Sequence, residues 1–196
     1  ANILKKRQKF AHKGTFGHSL LIAGSKGKTG AAVLATQGCI RSGTGLLTVH
    51  IPQSGYEILQ ITCPEAMISL DESDSIFTGF LQEQVYSTVG IGPGIGTSHK
   101  TEEALFNLLK EQNSPVVLDA DALNIIAANP RILKQVPPGS ILTPHPKEFE
   151  RLIARKAAND WERLELLKDF TIANNLVVVL KGAHTAIADI NGNIYF

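Results

Sequence analysis

The chain of 196 residues is 43% hydrophobic, which predicts a single domain built around one sizeable core. Its 19 basic and 18 acidic residues leave a net charge of +1, and this balance argues against a protein that binds nucleic acid or a membrane surface. The two cysteines form no metal-binding or redox pair, and no apolar run reaches the roughly 18 residues that span a bilayer, so we expect a cytoplasmic protein.

Short aliphatic runs alternate with helical patterns along the chain, which is typical of an α/β protein with a mostly parallel sheet. Six strands are predicted near residues 19–23, 45–51, 86–91, 116–119, 140–143 and 176–181. Two more, near 185–189 and 193–196, are joined by Asn191-Gly192, a strong signal for a two-residue hairpin turn. The end of the sheet is therefore expected to be antiparallel.

Three helices are predicted between these strands, near residues 30–42, 99–112 and 160–175. The first is rich in small residues, whereas the second and third each place apolar residues on one face. These residues are Ala104, Leu105, Leu108 and Leu109 in the second helix and Trp161, Leu164, Leu167 and Phe170 in the third. Asn159 followed by Glu162 predicts the N-terminal cap of the third helix.

Two glycine-containing segments have the wrong spacing for familiar nucleotide-binding motifs. Gly27-Lys28-Thr29 ends like a P-loop, but the first glycine of that motif would fall at Ile22, inside a predicted strand. Residues 92–96 carry three glycines, yet these lack the dinucleotide-binding spacing and no acidic residue follows at a suitable distance. Both segments remain candidates for a backbone that faces a ligand, and residues 92–96 could equally be a simple strand-to-helix turn.

Ligands of an open parallel sheet bind beyond the carboxyl ends of its strands. Five polar or glycine-rich segments follow predicted strands, at residues 24–28, 92–96, 119–124, 143–148 and 181–185. In the third segment, Asp119, Asp121 and Asn124 could supply oxygen ligands for Mg²⁺ or bind a ribose. Asp121 could instead cap the helix that follows.

The segment Thr143-Pro144-His145-Pro146-Lys147-Glu148 predicts both a helix start and a ligand contact. Pro146 suits the first helical turn, and Glu148 suits the positive end of the helix dipole. His145 and Lys147 have no such structural role in the sequence. A histidine held between two prolines at a strand end favours a contact with a ligand.

Several short motifs stand in a fixed order from about residue 12 to residue 196. They are His12-Lys13-Gly14, Ala23-Gly24-Ser25 with Gly30-Ala31, Arg41-Ser42-Gly43-Thr44-Gly45-Leu46, Pro64-Glu65-Ala66-Met67, Gly92-Pro93-Gly94-Ile95-Gly96, Asp119-Ala120-Asp121, Thr143-Pro144-His145-Pro146 with Glu148-Phe149, and Leu180-Lys181-Gly182. As a set they resemble the ADP/ATP-dependent NAD(P)H-hydrate dehydratases of the ribokinase-like superfamily. The resemblance implies a three-layer fold with a mostly parallel sheet, helices on both sides and an antiparallel hairpin near the C-terminus.

The resemblance also implies a metabolite-repair reaction. The substrate of this family is the S epimer of NADH or NADPH hydrated on the nicotinamide ring, and ADP or ATP phosphorylates the ring hydroxyl so that phosphate can leave. Mg²⁺, a homo-oligomer such as a tetramer, and an epimerase, fused or separate, are implied as well. Two alternatives stay open from the residues: a small-molecule kinase of the same superfamily, and a non-catalytic nucleotide-binding module.

Carried over to this chain, the resemblance implies two groups of contact residues. The substrate would contact Ala31, Gly94, His145, Lys147, Glu148 and Arg151. The nucleotide would contact Lys181, Gly182, Ala183, His184 and Thr185.

The family's glycine-rich anion hole and catalytic aspartate have no counterpart before Phe196. We therefore expect residues 1–196 to be a single ribokinase-like domain that is incomplete at the C-terminus, with the catalytic aspartate beyond it. Residues 1–7 could be the end of a linker from an N-terminal epimerase, which would make this chain the C-terminal domain of a bifunctional enzyme.

Overall fold

The computed structural model of the protein describes residues 8–81 and 85–196, and the linker predicted at residues 1–7 lies outside them. Within the described residues, nine strands form one sheet. They are β1 (His18–Ile22), β2 (Leu46–Ile51), β3 (Met67–Leu70), β4 (Thr88–Ile91), β5 (Val117–Leu118), β6 (Ile141–Leu142), β7 (Val177–Leu180), β8 (Ala186–Ala188) and β9 (Ile194–Tyr195).

The strands lie in the order β3-β2-β1-β4-β5-β6-β7-β8-β9. Each pair from β3 to β7 is parallel, whereas β8 is antiparallel to β7 and β9 is antiparallel to β8. The predicted α/β class, the mostly parallel sheet and the antiparallel end are thus confirmed. The last turn is one residue longer than predicted: Gly192, at φ 78°, ends a three-residue loop after Asp189, whose carbonyl accepts a hydrogen bond from the Gly192 N–H at 3.0 Å.

Six α-helices accompany these strands in the described part of the chain. They are α1 (Thr29–Arg41), α2 (Tyr56–Thr62), α3 (His99–Glu111), α4 (Asp121–Ala128), α5 (Pro146–Leu152) and α6 (Asp160–Asn174). The three predicted helices are confirmed to within one residue at each end. The side chain of Asn159 accepts a hydrogen bond from the backbone N–H of Glu162 at 2.8 Å, so the predicted cap of α6 is also present.

Apolar layers lie on both faces of the sheet. Leu20 and Ile22 of β1 belong to one buried cluster, while the alternating residues Leu21 and Ala23 belong to another. Successive side chains of a strand point to opposite faces, so the sheet lies between the two clusters. Helix α3 contributes Leu105 to the first cluster, and α1 and α2 contribute to the second. This is the expected three-layer arrangement.

The sequence did not predict β3 and α2, and it misplaced one side chain. Strand β3 lies at the edge of the sheet with Met67 and Leu70 exposed, so its apolar pattern is not that of a buried strand. Helix α2 has only seven residues. Trp161, predicted on the buried face of α6, is 74% exposed because the first turn of that helix extends beyond the core that buries Leu167.

No helix among residues 8–81 and 85–196 has both the length and the apolar character needed to cross a membrane.

Candidate ligand-binding crevice

The five segments predicted to contact ligands lie side by side. They follow β1, β4, β5, β6 and β7, which are consecutive neighbours in the sheet and are mutually parallel. The carboxyl ends of parallel strands meet at one edge, and the connections that begin there form the walls of a crevice.

The first two loops are joined through their backbones. The N–H of Gly24 donates to the carbonyl of Pro93 at 2.8 Å, and the hydroxyl of Ser25 donates to the carbonyl of Gly94 at 2.7 Å. Gly94 has a φ of +70°, and a Cβ there would lie 2.9 Å from the Cβ of Ala31. Ala31 and Gly94, both predicted substrate contacts, therefore adjoin each other where α1 begins.

A strained turn connects β5 to α4. Ala120, at φ 49° and ψ −117°, adopts a conformation that is rare for a residue with a side chain. The carboxylate of Asp121 accepts hydrogen bonds from the Lys28 ammonium and from the N–H of Gly96, each at 2.9 Å. Helix α4 begins at Asp121 without a side-chain cap, so the alternative that Asp121 caps this helix is wrong. Instead, Asp121 joins the two loops that follow β1 and β4.

The predicted Mg²⁺ or ribose contacts already face cations of the protein. Asp119 accepts a hydrogen bond from the Lys181 ammonium at 2.7 Å, and the amide oxygen of Asn124 accepts one from Arg151 at 3.1 Å. A carboxylate that faces an ammonium is a poor Mg²⁺ ligand because the two cations repel. Asp119, Asp121 and Asn124 therefore do not fit a metal ion held by the protein alone. In the described residues, no group of three or more His, Cys, Asp and Glu side chains could hold one either.

His145 has a structural role that the sequence did not reveal. Its Nδ1 accepts hydrogen bonds from the backbone N–H groups of Lys147 and Glu148, at 3.1 and 3.2 Å, while Glu148 accepts one from the N–H of His145 at 2.8 Å. This reciprocal pair is a capping box at the start of α5. The imidazole is still 47% exposed toward solvent, and its Nε2 lies 3.5 Å from a carboxylate oxygen of Glu148. A ligand contact of His145 stays a prediction.

The two roles of His145 can be separated by substitution. We expect His145→Ala to lose about 1 kcal/mol of unfolding free energy, because the cap is lost, and to raise the KM for substrate with kcat nearly unchanged. His145→Asn restores a capping oxygen and should recover the stability but not the KM. Thermal unfolding and steady-state kinetics of both variants check this. Full recovery of KM in the asparagine variant would show that His145 acts only as a cap.

The predicted nucleotide segment borders a cleft of about 510 Å³. Four of its five residues line this cleft, and Thr185 does not; the four are Lys181, Gly182, Ala183 and His184. The N–H of Lys181 donates to the carbonyl of Pro144 at 2.8 Å, which ties the segment to the start of α5. Arg163 of α6 lines the same cleft and adds a second cation near Lys181.

A buried carboxylate that sequence reasoning missed supports the crevice from the side of β3. Asp71 accepts hydrogen bonds from His50 Nε2 at 3.2 Å, from the N–H groups of Ser73 and Thr78, and from the Thr78 hydroxyl. The loop that it orders accepts a hydrogen bond at the Ser75 carbonyl from the N–H of Lys26, at 2.8 Å. An aspartate two residues before a serine is a turn signal that could have revealed this loop.

Asp71 should contribute measurably to stability at neutral pH. Burial alone would raise its pKa, but the hydrogen bonds from His50, Thr78 and Ser73 outweigh burial and lower the pKa from 3.8 to about 2. A lowered pKa stabilises the fold above the unfolded-state value, and that stabilisation is lost as the pH falls toward the folded-state value. We therefore expect Asp71→Asn to lose about 2 kcal/mol of unfolding free energy at pH 7, and this difference from wild type to narrow between about pH 4 and pH 2.

Urea unfolding across this pH range measures the effect, with Asp74→Asn as the control. Asp74 lies in the same loop but pairs with Lys26 on the surface, where both side chains are more than half exposed. Such a pair contributes little. Equal stabilities of the Asp71→Asn variant and wild type at pH 7 would contradict the role of the buried carboxylate.

The sequence of the chain matches a known protein family. The profile of NAD(P)H-hydrate dehydratase matches residues 19–196, which include all five crevice loops. The chain belongs to the NAD(P)H-hydrate dehydratase family. An ADP-dependent (S)-NAD(P)H-hydrate dehydratase from Lactococcus lactis is 35% identical over 95% of the chain. A bifunctional NAD(P)H-hydrate repair enzyme from Moorella thermoacetica is 34% identical over 98% of the chain.

Solved structures of this dehydratase family agree with the fold. The crystal structure of the ADP/ATP-dependent NAD(P)H-hydrate dehydratase from Bacillus subtilis, co-crystallised with ATP and Mg²⁺, matches 98% of the chain with 31% identity and a TM-score of 0.80. A ribokinase-like superfamily protein from Enterococcus faecalis, 23% identical, shows the same fold with a TM-score of 0.72. The predicted resemblance to the dehydratases and the ribokinase-like fold are thus confirmed.

The chain is shorter than these dehydratase relatives. It spans 66% of the L. lactis enzyme, 38% of the M. thermoacetica enzyme and 67% of the B. subtilis chain.

Proposed function

We propose that the full-length protein converts the S epimer of hydrated NADH or NADPH back to the reduced cofactor, with ADP or ATP as the phosphoryl donor. This proposal rests on the arrangement of Asp119 and Asp121, which follow β5. Asp119 pairs with Lys181 on one side of this strand end, and Asp121 pairs with Lys28 on the other. Lys181 belongs to the segment predicted to contact the nucleotide, and Lys28 to the loop beside the predicted substrate contacts. In this proposal, the turn supports one cation at each of two adjacent subsites.

The chemistry follows from the poor leaving ability of hydroxide. The ring hydroxyl attacks the terminal phosphorus of the nucleotide, its proton goes to a base, and a nucleotide with one phosphate fewer is released. The lone pair of the ring nitrogen then expels phosphate as the C–O bond breaks, and loss of a proton from the neighbouring ring carbon completes the dihydronicotinamide. Such a reaction needs positioning and charge stabilisation more than covalent catalysis by the protein.

The described residues have distinct parts in this scheme. Lys181 neutralises phosphate charge in the cleft, while the backbone of Gly182 and Ala183 approaches the phosphates closely. Gly94, beside Ala31, leaves room for the nicotinamide end of the substrate. His145 contacts the substrate from the start of α5 and, in this proposal, does not exchange a proton.

The base that takes the hydroxyl proton is proposed to lie beyond residue 196, in a glycine-rich segment that completes this ribokinase-like domain. Asp119 and Asp121 are less suited to that task because each already accepts a hydrogen bond from a lysine. The greater length of the dehydratase relatives supports this arrangement. We also propose an epimerase partner, fused or separate, which the bifunctional relative supports.

Three further features belong to this proposal. Mg²⁺ is proposed to arrive on the phosphates of the nucleotide, as it commonly does in phosphoryl transfer. The exposed apolar side chains of Leu34, Ile58 and Ile61 on α1 and α2 support a homo-oligomer such as a tetramer. The two free cysteines support a reducing compartment, the cytoplasm.

The test uses the full-length gene product, hydrated NADH, and ADP, ATP or no nucleotide, with the return of reduced-nicotinamide absorbance as the readout. We expect recovery that depends on a nucleotide. No recovery with either nucleotide, together with phosphate transfer to a small alcohol, would instead identify a kinase. Tight ADP binding with neither reaction would identify a nucleotide-binding module.

A further inference from the structure

A groove lined mainly by cations lies beside the substrate side of the crevice. It is a shallow, open surface groove of about 470 Å³ along α5 and the turn after it. Its lining residues are Lys147, Glu150, Arg151, Ala154, Arg155 and Lys156. Four cations and one carboxylate therefore face a space large enough for a phosphate group.

The groove depends on a backbone turn that reverses the chain after α5. Ala154 has a φ of 50°, a left-handed conformation that usually requires glycine at a helix C-terminus. The N–H of Ala154 donates to the carbonyl of Arg151, and the N–H of Arg155 donates to the carbonyl of Glu150, each at 3.1 Å. This turn brings Arg155 and Lys156 back toward the helix. Lys147 and Arg151, four residues apart, occupy one face of that helix.

The charges of the groove are not balanced within the described part of the chain. Glu150 pairs with Arg163 at 3.6 Å, and Arg155 pairs with Glu162 of α6. Lys147, Arg151 and Lys156 make no ion pair with any described residue. Three cations thus remain available to a ligand, and the carboxylate among them is already neutralised.

The groove shares Lys147 and Arg151 with the predicted substrate contacts. Arg151 donates one hydrogen bond to Asn124 of α4 at 3.1 Å, which leaves most of its guanidinium N–H groups free. Asn124 lies one helical turn after Asp121, and Asp121 binds the N–H of Gly96 in the glycine loop. Because Lys147 lies two residues after His145, we expect a substrate that contacts His145 to reach the groove.

We propose that this groove binds the 2′-phosphate of hydrated NADPH and makes the protein prefer that substrate to hydrated NADH. The inference rests on the proposed function. A phosphate monoester carries nearly two negative charges at neutral pH, and arginine and lysine are the side chains that bind such groups. An arginine beside the adenosine ribose is a known way to accommodate a 2′-phosphate. Hydrated NADH lacks this group, so the cations gain no partner from it.

The kinetic test compares kcat/KM for hydrated NADPH and hydrated NADH at saturating ADP, in the full-length protein and two variants. Lys156→Ala removes one cation, and Arg151→Lys keeps the charge but removes the planar fork that binds phosphate with two hydrogen bonds. We expect wild type to favour hydrated NADPH, and each variant to lower that preference about tenfold, the effect of roughly 1.4 kcal/mol. Lys110→Ala is the control, since Lys110 is an exposed lysine at the end of α3.

A binding test gives the answer without turnover. Calorimetry measures the affinities of adenosine 2′,5′-bisphosphate and adenosine 5′-monophosphate for the full-length protein, whose nucleotide site is saturated with ADP. Wild type should bind the bisphosphate at least tenfold more tightly than the monophosphate. This difference in affinity should fall about tenfold in the Lys156→Ala variant.

The outcomes separate this inference from the proposed function. If the variants lowered kcat/KM equally for both hydrates, or raised the KM for ADP instead, the assignment of the groove would be overturned. The proposed dehydratase function would still stand. Equal binding of the two adenosine phosphates to wild type would also overturn it. Absence of turnover with either hydrate would contradict the proposed function, and the calorimetric result would still decide whether the groove binds a phosphate monoester.

Discussion

Gly92→Ala is expected to lose about 4 kcal/mol of the free energy of unfolding, which is enough to prevent accumulation of the folded protein. Gly92 has a φ of +131°, and a Cβ at this position would overlap the carbonyl oxygen of Asp119 and lie 2.9 Å from the Cβ of Ala122. The obstacle is backbone of the strained turn, which cannot rotate away as a side chain could. Both strain and overlap therefore act at this position.

Gly96→Ala is the matched control for this prediction. Gly96 lies in the same loop with a φ of +82°, but apart from its two chain neighbours no atom of residues 8–81 and 85–196 lies within 4 Å of its added Cβ. Only the backbone strain remains, so we expect a loss of about 1 kcal/mol. Urea unfolding measures both variants. Equal losses of unfolding free energy in the two variants would show that the close approach of Gly92 to the Asp119 carbonyl does not limit which residue fits at position 92.

Lys181→Ala is expected to raise the KM for ADP about thirtyfold, with a much smaller effect on the KM for the hydrated cofactor. The ammonium is lost from the phosphate subsite, and hydrogen bonds to charged groups contribute about 2 kcal/mol. The carboxylate of Asp119, at present 2.7 Å from this ammonium, would then face the phosphates unpaired and repel them.

Two further variants test the source of the Lys181 effect. Lys181→Ala combined with Asp119→Asn removes the repulsion and should recover part of the ADP affinity. Lys28→Ala, at the other carboxylate of the turn, should raise the KM for the hydrated cofactor instead of that for ADP. An unchanged KM for ADP in Lys181→Ala would place the nucleotide elsewhere.

The sequence predicted the sheet, and it predicted five candidate loops at one edge of that sheet, because both depend on local patterns. Buried parallel strands are continuous apolar runs, and glycine or polar residues that follow such runs identify the strand ends. Sequence order did not give the neighbours of each strand, yet the five loops were correctly placed together. In a parallel sheet all carboxyl ends lie at one edge whatever the strand order.

The contacts across the crevice could not be predicted from the sequence. The pairs Lys28–Asp121 and Lys181–Asp119 join residues 93 and 62 positions apart, and no local pattern specifies them. The capping role of His145 was missed because histidine is not among the usual capping residues. Strand β3 was missed because an exposed edge strand lacks the apolar run of a buried one.

The most direct test of the account measures stoichiometry in the full-length protein. Hydrated NADH and ADP are incubated with the enzyme, and NADH, AMP and inorganic phosphate are quantified in the same samples over time. We predict that the three products form in equal amounts, since each hydroxyl leaves as one phosphate. Formation of NADH without AMP and phosphate, or of AMP with a stable phosphorylated product and no NADH, would contradict it.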